Sequence, residues 1–241
     1  MQTQTLKPLK PKVVLGVAAH PDDLEFSAAG TIAKFISDGA DAYYLILTNA
    51  NKGTDDRNMP PNMLRTIRHE EQRAAGKILG LKDVFFCDYE DGQLECCYEV
   101  RRDIARAIRQ VKPDVVVAMD PSVLYSAEHG SINHPDHRAA GQATLDAVYP
   151  LARDHLSFPE LLADGLEPHK TATVLLVNFE QQNYYVDISD YIDTKLKALN
   201  AHVSQVADPD MANGYVRDWA KQNGTKAGVD YAEGFVRIDI R

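Results

Sequence analysis

Apolar and polar residues alternate along this chain in blocks rather than singly. Val13-Val-Leu-Gly-Val-Ala18 is an unbroken apolar run, the pattern of a strand covered on both faces, and Val115-Val-Val-Ala118 repeats it. Tyr43-Tyr-Leu-Ile-Leu-Thr48, the short Val84-Phe-Phe86 and Thr171 to Asn178 read as further strands. Between these runs the period becomes helical. Thr31 to Ile36 is amphipathic and closes at Asp38-Gly39. Residues 63–79 place Met63, Ile67, Ala74, Ala75, Ile78 and Leu79 at helical spacing, with Gly80 as the natural C-cap. Residues 95–111 carry Val100, Ile104, Ala107, Ile108 and Val111 on one face, until Lys112-Pro113-Asp114 breaks the helix. Further helices are expected over 134–148 and 189–205. The stretch 150–170, with Pro150, Pro159 and Pro168, reads as a long surface loop with some local helix.

The repeated strand–helix order implies right-handed parallel crossovers, hence a Rossmann-like three-layer α/β/α sandwich on a mostly parallel sheet. No repeat, low-complexity tract or linker interrupts it, so residues 1–241 are expected to form one domain. Such sheets bind ligands at the carboxyl ends of their strands. Loops 19–25, 48–61 and 119–137 occupy those ends.

The first loop reads Ala19-His-Pro-Asp-Asp-Leu-Glu25. It lacks the glycines that let a pyrophosphate approach a dinucleotide-binding turn, and its carboxylates would repel one. Capping of the next helix explains one aspartate. It does not explain three acids and a histidine within six positions, a crowding of like charge that calls for a cation. Imidazole with carboxylate suits zinc or another first-row divalent ion better than magnesium or calcium. In a tight turn Asp22 and Asp23 diverge, so one can bind metal while the other faces substrate.

Asn133-His-Pro-Asp-His137 follows the fourth strand and opens a helix. His134 and His137, three apart, share a helical face, and Asp136 between them can hydrogen-bond an imidazole and fix its tautomer. Three protein ligands with one open position is the pattern of a catalytic zinc.

Composition narrows the setting. Hydrophobic residues make up 44% and charged residues 25%, as in ordinary globular proteins. A formal charge of −9 argues against nucleic acid or an anionic membrane as partner. No apolar run suggests a membrane span and the N-terminus has no secretory h-region, so a cytoplasmic location is expected. Cys87, Cys96 and Cys97 fit no pairing scheme and read as reduced packing residues. Asn223-Gly-Thr225 reads as a turn.

The two motifs, AHPDD-x-E after the first strand and HPDH after the fourth, resemble the LmbE/PIG-L family of zinc-dependent N-acetylglucosaminyl deacetylases. The resemblance covers most of the chain. Gly30 to Lys34 looks like the family's first helix, and Arg68-His-Glu-Glu71 through Gly80 like its second. Asp91-Gly92, Val186-Asp187-Ile188 and Lys195 through Ser204-Gln205 are also similar. Ser27-Ala28-Ala29 departs from a glycine-richer turn, and Asn49 to Gly53 from a loop where many members place a glutamate.

The resemblance implies His20, Asp23 and His137 as ligands of one Zn2+ per chain, with other first-row divalent metals possible. It implies Asp22 as general base, His134 as the group that stabilises or protonates the intermediate, and Asp136 as orienter of the catalytic histidine. Glu25 would support the ligands through hydrogen bonds. Arg68 and Asp91 match positions near the sugar-binding cleft; the plainer alternatives are a helix-surface ion pair and a turn-forming Asp-Gly. The implied substrate is a small N-acetylated amino-sugar conjugate, and the implied assembly a homo-oligomer, trimer or hexamer.

The chemistry is coherent on its own terms. A zinc-bound water has its pKa lowered from 15.7 to about 7, Asp22 takes the proton, and zinc with protonated His134 holds the oxyanion. Arg57, His129 and His155 sit in loops that can reach the pocket, whereas His69, His169 and His202 read as surface or packing residues. Tyr215 and Trp219 fit a core or an interface equally. Two competing functions are a metal-dependent phosphoesterase, which wants basic residues the motifs lack, and a non-catalytic binding module, which predicts loss of a ligand or base that is intact here.

Overall fold

The computed structural model describes residues 7–127 and 130–240. Its centre is strand β1 (Val13–Ala18), whose residues alternate between two cores because successive side chains leave a strand on opposite faces. Val14 and Ala18 enter one core, Leu15 and Val17 the other, and all four are completely buried.

Helices α1 (Asp23–Ser27), α2 (Ala29–Ser37), α3 (Pro61–Leu79), α7 (Ile192–Leu199) and α8 (Pro209–Ala227) cover the first face, with Ile32, Phe35, Leu79, Leu196 and Val216 in its core. The second face lies under α4 (Tyr98–Val111), α5 (Pro135–Asp146) and α6 (Pro159–Ala163), through Val100, Ile104, Ile108, Ala143 and Leu161. This is the expected three-layer sandwich.

The remaining strands are β2 (Asp41–Thr48), β3 (Asp83–Tyr89), β4 (Val115–Met119), β5 (Tyr125–Ser126), β6 (Ser131–Ile132), β7 (Thr173–Val177), β8 (Tyr184–Asp187) and β9 (Ala232–Asp239). Six of them join β1 in one seven-stranded sheet in the order β3-β2-β1-β4-β7-β9-β8, while β5 and β6 make a separate hairpin. From β3 to β7 all pairings are parallel; β9 lies antiparallel between β7 and β8. The chain runs outward from β1 through β2 to β3, then returns to place β4 on the other side of β1. The crevice between the carboxyl ends of β1 and β4 is therefore the switch point where such folds bind ligands.

Two glycines set how closely helices approach that crevice. A side chain at Gly16 would meet Leu24 Cδ1 at 2.7 Å, and one at Gly141 would meet the Met119 carbonyl oxygen at 2.3 Å. Their absence lets α1 close on β1 and α5 on the end of β4.

Several elements differ from the sequence expectation. The fourth helix starts at Tyr98 and not at residue 95, because the Gly92 and Leu94 amides are held by Asp136 and keep the preceding segment extended. The helix expected over 189–205 ends at Leu199; beyond it Ser204 turns to bond Glu71 and His202 turns inward. Asn223-Gly-Thr225 lies within α8, with Asn223 buried, so it is no turn. Elements β8, α8 and β9 carry no strong periodic signature and have no counterpart in the sequence reading.

Among the described residues no helix is long and apolar enough to cross a membrane. The three cysteines are free, half-buried and packed on the second core, as their reading as packing residues expects.

Candidate active site

At the end of β1 the backbone takes an unusual step: Asp22 adopts φ 86°, the left-handed region that only asparagine, aspartate and glycine enter readily. This sends two adjacent carboxylates in different directions. Asp23 turns under the motif, its Oδ2 accepting the His20 amide at 2.9 Å and its Oδ1 lying 3.0 Å from His137 Nε2. Asp22 makes no capping bond to α1, so capping does not explain it; its carboxylate is 3.8 Å from Arg68 Nη2 and 14% exposed.

The Asp22 step is braced from α3. Gln72 Oε1 accepts the Asp22 amide at 3.1 Å, and Gln72 Nε2 donates to the fully buried Glu25 at 2.9 Å. Glu25 thus supports the turn through Gln72, and its other oxygen faces His202 Nε2 at 3.4 Å.

The second motif is delivered by α5. His134 is its N-cap, Nδ1 accepting the Asp136 amide at 3.2 Å, and Pro135 at the first helical position has no amide to satisfy. Asp136 is completely buried. One of its oxygens accepts from the Gly92 amide at 2.7 Å and lies 3.1 Å from His20 Nε2, and the other accepts from the Leu94 amide at 3.2 Å. Asp91 Oδ1 approaches the same His20 nitrogen at 3.3 Å. With Nε2 held by two carboxylates, Nδ1 is the His20 nitrogen left to face Asp23, 3.7 Å away.

Nitrogens of His20, His134 and His137 all lie within 4.8 Å of one another. Three imidazoles at this spacing, with the Asp23 carboxylate 3.0 Å from His137 and 3.7 Å from His20, are the chemistry of a first-row divalent ion. The electrostatics point the same way. Burial pulls the His20 pKa down, but hydrogen bonds to Asp136, Asp23 and Asp91 overcome it and raise it to about 12. The carboxylates around this point thus call for positive charge, which an ion would supply.

Burial opposes ionisation of Asp23, yet His137 and His20 hold it well below the usual carboxylate range. Burial, then the charge of Asp23, pushes Asp22 up to about 7, with Arg68 opposing. Burial lowers His134, and so do His20 and His137. Its Nδ1 accepts the Asp136 amide, so Nε2 is the His134 nitrogen left to carry a proton toward the site.

Every motif residue expected at the site is brought there. Arg68 and Asp91 also arrive, but turned inward. Arg68 is buried, donating to the Lys52 and Pro21 carbonyls at 2.9 and 3.2 Å, so it is no surface ion pair. Asp91 braces His20 and accepts the Lys52 amide at 3.2 Å.

Arg57 is exposed, and His155 is 68% exposed beside Asp154. His129 lies outside the described residues. His69 stacks on Phe86 at 4.2 Å and His169 bonds the Pro113 carbonyl, both packing roles. His202 is wholly buried and faces the Glu25 network, which excludes a surface role. Gln72 had no sequence signal except its place one turn after Arg68 on α3.

Beside His134 and His137 opens a cleft of about 340 Å³ whose walls include Asp120, Asn178, Phe179, Tyr215 and Trp219. Tyr215 and Trp219 thus line a cleft and belong to no core.

Fold and site together define a metal-dependent hydrolase of the doubly wound α/β class. The model of the family PIG-L, GlcNAc-PI de-N-acetylase, matches residues 15–148, which hold both motifs. A diacetylchitobiose deacetylase of Thermococcus kodakarensis is 36% identical over 92% of this chain and 82% of its own length. A probable N-acetyl-α-D-glucosaminyl L-malate deacetylase 2 of Bacillus anthracis is 31% identical over 80% of this chain and 81% of its own. The structure of N,N'-diacetylchitobiose deacetylase from Pyrococcus horikoshii superposes with a TM-score of 0.87 at 32% identity, covering 95% of this chain and 84% of that one. The chain belongs to the PIG-L family and is a deacetylase by its relatives and by its motifs. A phosphoesterase or a non-catalytic module is not favoured by any of these likenesses.

Proposed function

We propose that residues 1–241 act as one catalytic unit, a zinc-dependent hydrolase that releases acetate from an N-acetylated amino sugar of the N-acetylglucosamine type. The observation that carries this reading is the division of labour at Asp22 and Asp23. One carboxylate is committed to the histidines, while its neighbour, 14% exposed, stands 3.8 Å from Arg68, beyond hydrogen-bond distance.

His20, Asp23 and His137 would hold the metal, which when bound supplies an acidified water and polarises the amide carbonyl. Asp22 accepts the proton of the attacking water. A carboxylate held near 7 in the metal-free protein is a stronger base than an ordinary aspartate and suits this task. His134 donates its Nε2–H to the oxygen that gains charge, a contact worth roughly 3 kcal/mol for a single donor. Asp136 and Asp91 fix the His20 ring, and Gln72 fixes the Asp22 turn. Arg68 and Asp91 act by positioning; direct contact with sugar hydroxyls would require them to give up their present partners.

A cytoplasmic location and a trimeric or hexameric assembly complete the reading. Elemental analysis of purified protein, paired with an acetate-release assay on N-acetylglucosamine conjugates, tests it. The expected result is one zinc per chain and acetate release that a chelator abolishes. Absence of both zinc and acetate release would overturn it.

A further inference from the structure

A buried polar chain runs from the segment after α7 to the Asp22 turn. Its members Glu25, Gln72 and His202 are each completely buried. Glu25 Oε1 accepts from Gln72 Nε2 at 2.9 Å, and Gln72 Oε1 accepts the Asp22 amide at 3.1 Å. At the other end, Glu25 Oε2 and both ring nitrogens of His202 have no hydrogen-bond partner among the described residues. Yet Glu25 Oε2 and His202 Nε2 face each other at 3.4 Å. Buried polar groups are rarely left unpaired, and these two are placed to satisfy one another.

The segment that carries His202 is itself pinned. Ser204 donates through its amide and its hydroxyl to Glu71, at 2.7 and 2.6 Å, and Glu71 adjoins Gln72 on α3. Lys195 of α7 donates to the Phe26 carbonyl at 2.8 Å, one residue past Glu25 on α1. His202 thus meets Glu25 from a frame tied to both helices of the chain. Burial pulls the His202 pKa down, but the facing Glu25, then Asp22 and Glu71, raise it above the ordinary value.

The chain has one sense. A carboxylate oxygen accepts, so Gln72 turns its NH2 to Glu25 and its carbonyl to the Asp22 amide. A reversed Gln72 amide would set donor against donor at Asp22. That residue holds φ 86°, a conformation that persists where its surroundings fix it.

We propose that His202 is a positioning residue for the deacetylation: its Nε2–H holds Glu25 Oε2, which keeps Oε1 on Gln72 and, through Gln72, the Asp22 carboxylate at the attacking water. The proposal rests on the reading of Asp22 as base and extends that site to a residue that touches neither substrate nor metal. Asp23 has separate anchors in the His20 amide and His137, so the effect falls on kcat and leaves zinc content and KM in place.

The test compares zinc-loaded wild type with His202→Phe, which keeps a ring but deletes its nitrogens, and His202→Gln, which returns an N–H near the Nε2 position. Acetate release from the β-linked dimer of N-acetylglucosamine should lose about 10- to 100-fold in kcat in His202→Phe, with KM and zinc content unchanged, and recover most of it in His202→Gln. Hydrogen exchange at the Asp22 amide should quicken about ten-fold in the Phe variant, as one hydrogen bond is released, and return in the Gln variant.

Wild-type kcat in His202→Phe overturns the proposal. So does a fall of kcat, KM and zinc content together, the mark of general loosening. Nitrogen-15 NMR of the imidazole in the wild type decides without any variant, should the Phe protein not fold: a proton on Nε2 is expected, and a bare Nε2 overturns the proposal. If Asp22 exchange responds as described while the wild type releases no acetate, the positioning chain stands and the deacetylase reading falls.

Discussion

Replacing Asp22 by asparagine should raise stability and abolish turnover, and the two effects have one cause. In the metal-free protein, burial and the neighbouring Asp23 raise the Asp22 carboxyl from 3.8 to about 7. A raised folded-state pKa means that the native state holds the proton more tightly than the unfolded chain. The stability so gained is complete below the unfolded value, near 4, and is lost as pH rises through about 7. Above pH 7 the wild type carries a charge its surroundings disfavour; asparagine carries none.

Three pH units at about 1.36 kcal/mol each set a ceiling of about 4 kcal/mol. The side chain is 14% exposed, which lets water relax part of the cost, so about 2 kcal/mol is the working figure. Asparagine also tolerates the left-handed φ of 86°, so the turn itself should not be strained. The measurement is urea unfolding of chelator-treated wild type and Asp22→Asn at pH 5, 7 and 8.5, alongside acetate release by the zinc-loaded forms. The variant should gain over wild type progressively from pH 5 to 8.5 and lose most turnover. An Asp22→Asn protein less stable than wild type at pH 8.5, or one that still releases acetate at the wild-type rate, would refute the reasoning.

Asp136→Asn keeps the shape of the side chain but sets an amide N–H against one of three donors: the Gly92 amide, the Leu94 amide or His20 Nε2. Loss of such an orienting carboxylate should weaken zinc binding by about 10- to 100-fold, read by competition with a chromogenic chelator. Gln72→Leu deletes the bonds to the Asp22 amide and to Glu25. It should cost about 1–3 kcal/mol of stability and lower kcat while leaving KM in place, because it moves the base and not the substrate. Glu233→Gln tests a purely structural network. Glu233 lies 2.5 Å from the buried Lys195 and accepts the Gly30 and Thr31 amides at the start of α2. Stranding that lysine should cost about 3 kcal/mol in urea unfolding, with zinc content unchanged.

Much of the site was legible because its signals are local. The apolar run Val13–Ala18 marks a strand buried on two faces. The crowding of His20, Asp22, Asp23 and Glu25 directly after it is a charge imbalance visible in seven residues. His134 and His137 at helical spacing complete the pattern, and strand–helix alternation predicts the layers. Such features depend on neighbours within a turn or two, and local sequence reports them directly.

The tertiary structure decided what depends on contacts between distant segments. Which nitrogen of His20 is left to face Asp23 is settled by Asp136 and Asp91, brought against it from far along the chain. Burial of Arg68 and of His202 and the bracing of Asp22 by Gln72 all follow from packing across the crevice. The antiparallel entry of β9 between β7 and β8 reverses the direction that a strand–helix pattern leads one to expect, since periodicity marks a strand without giving its neighbour or its sense. Trp219 is polar-flanked on a weakly amphipathic helix and looks unremarkable in the chain. Only the placement of α8 beside the end of β7 sets it next to the metal-binding motifs. Local charge and hydrophobic pattern thus determined the class of chemistry. The cleft beside the motifs was left to long-range packing, because its residues come from elements that meet only in the folded chain.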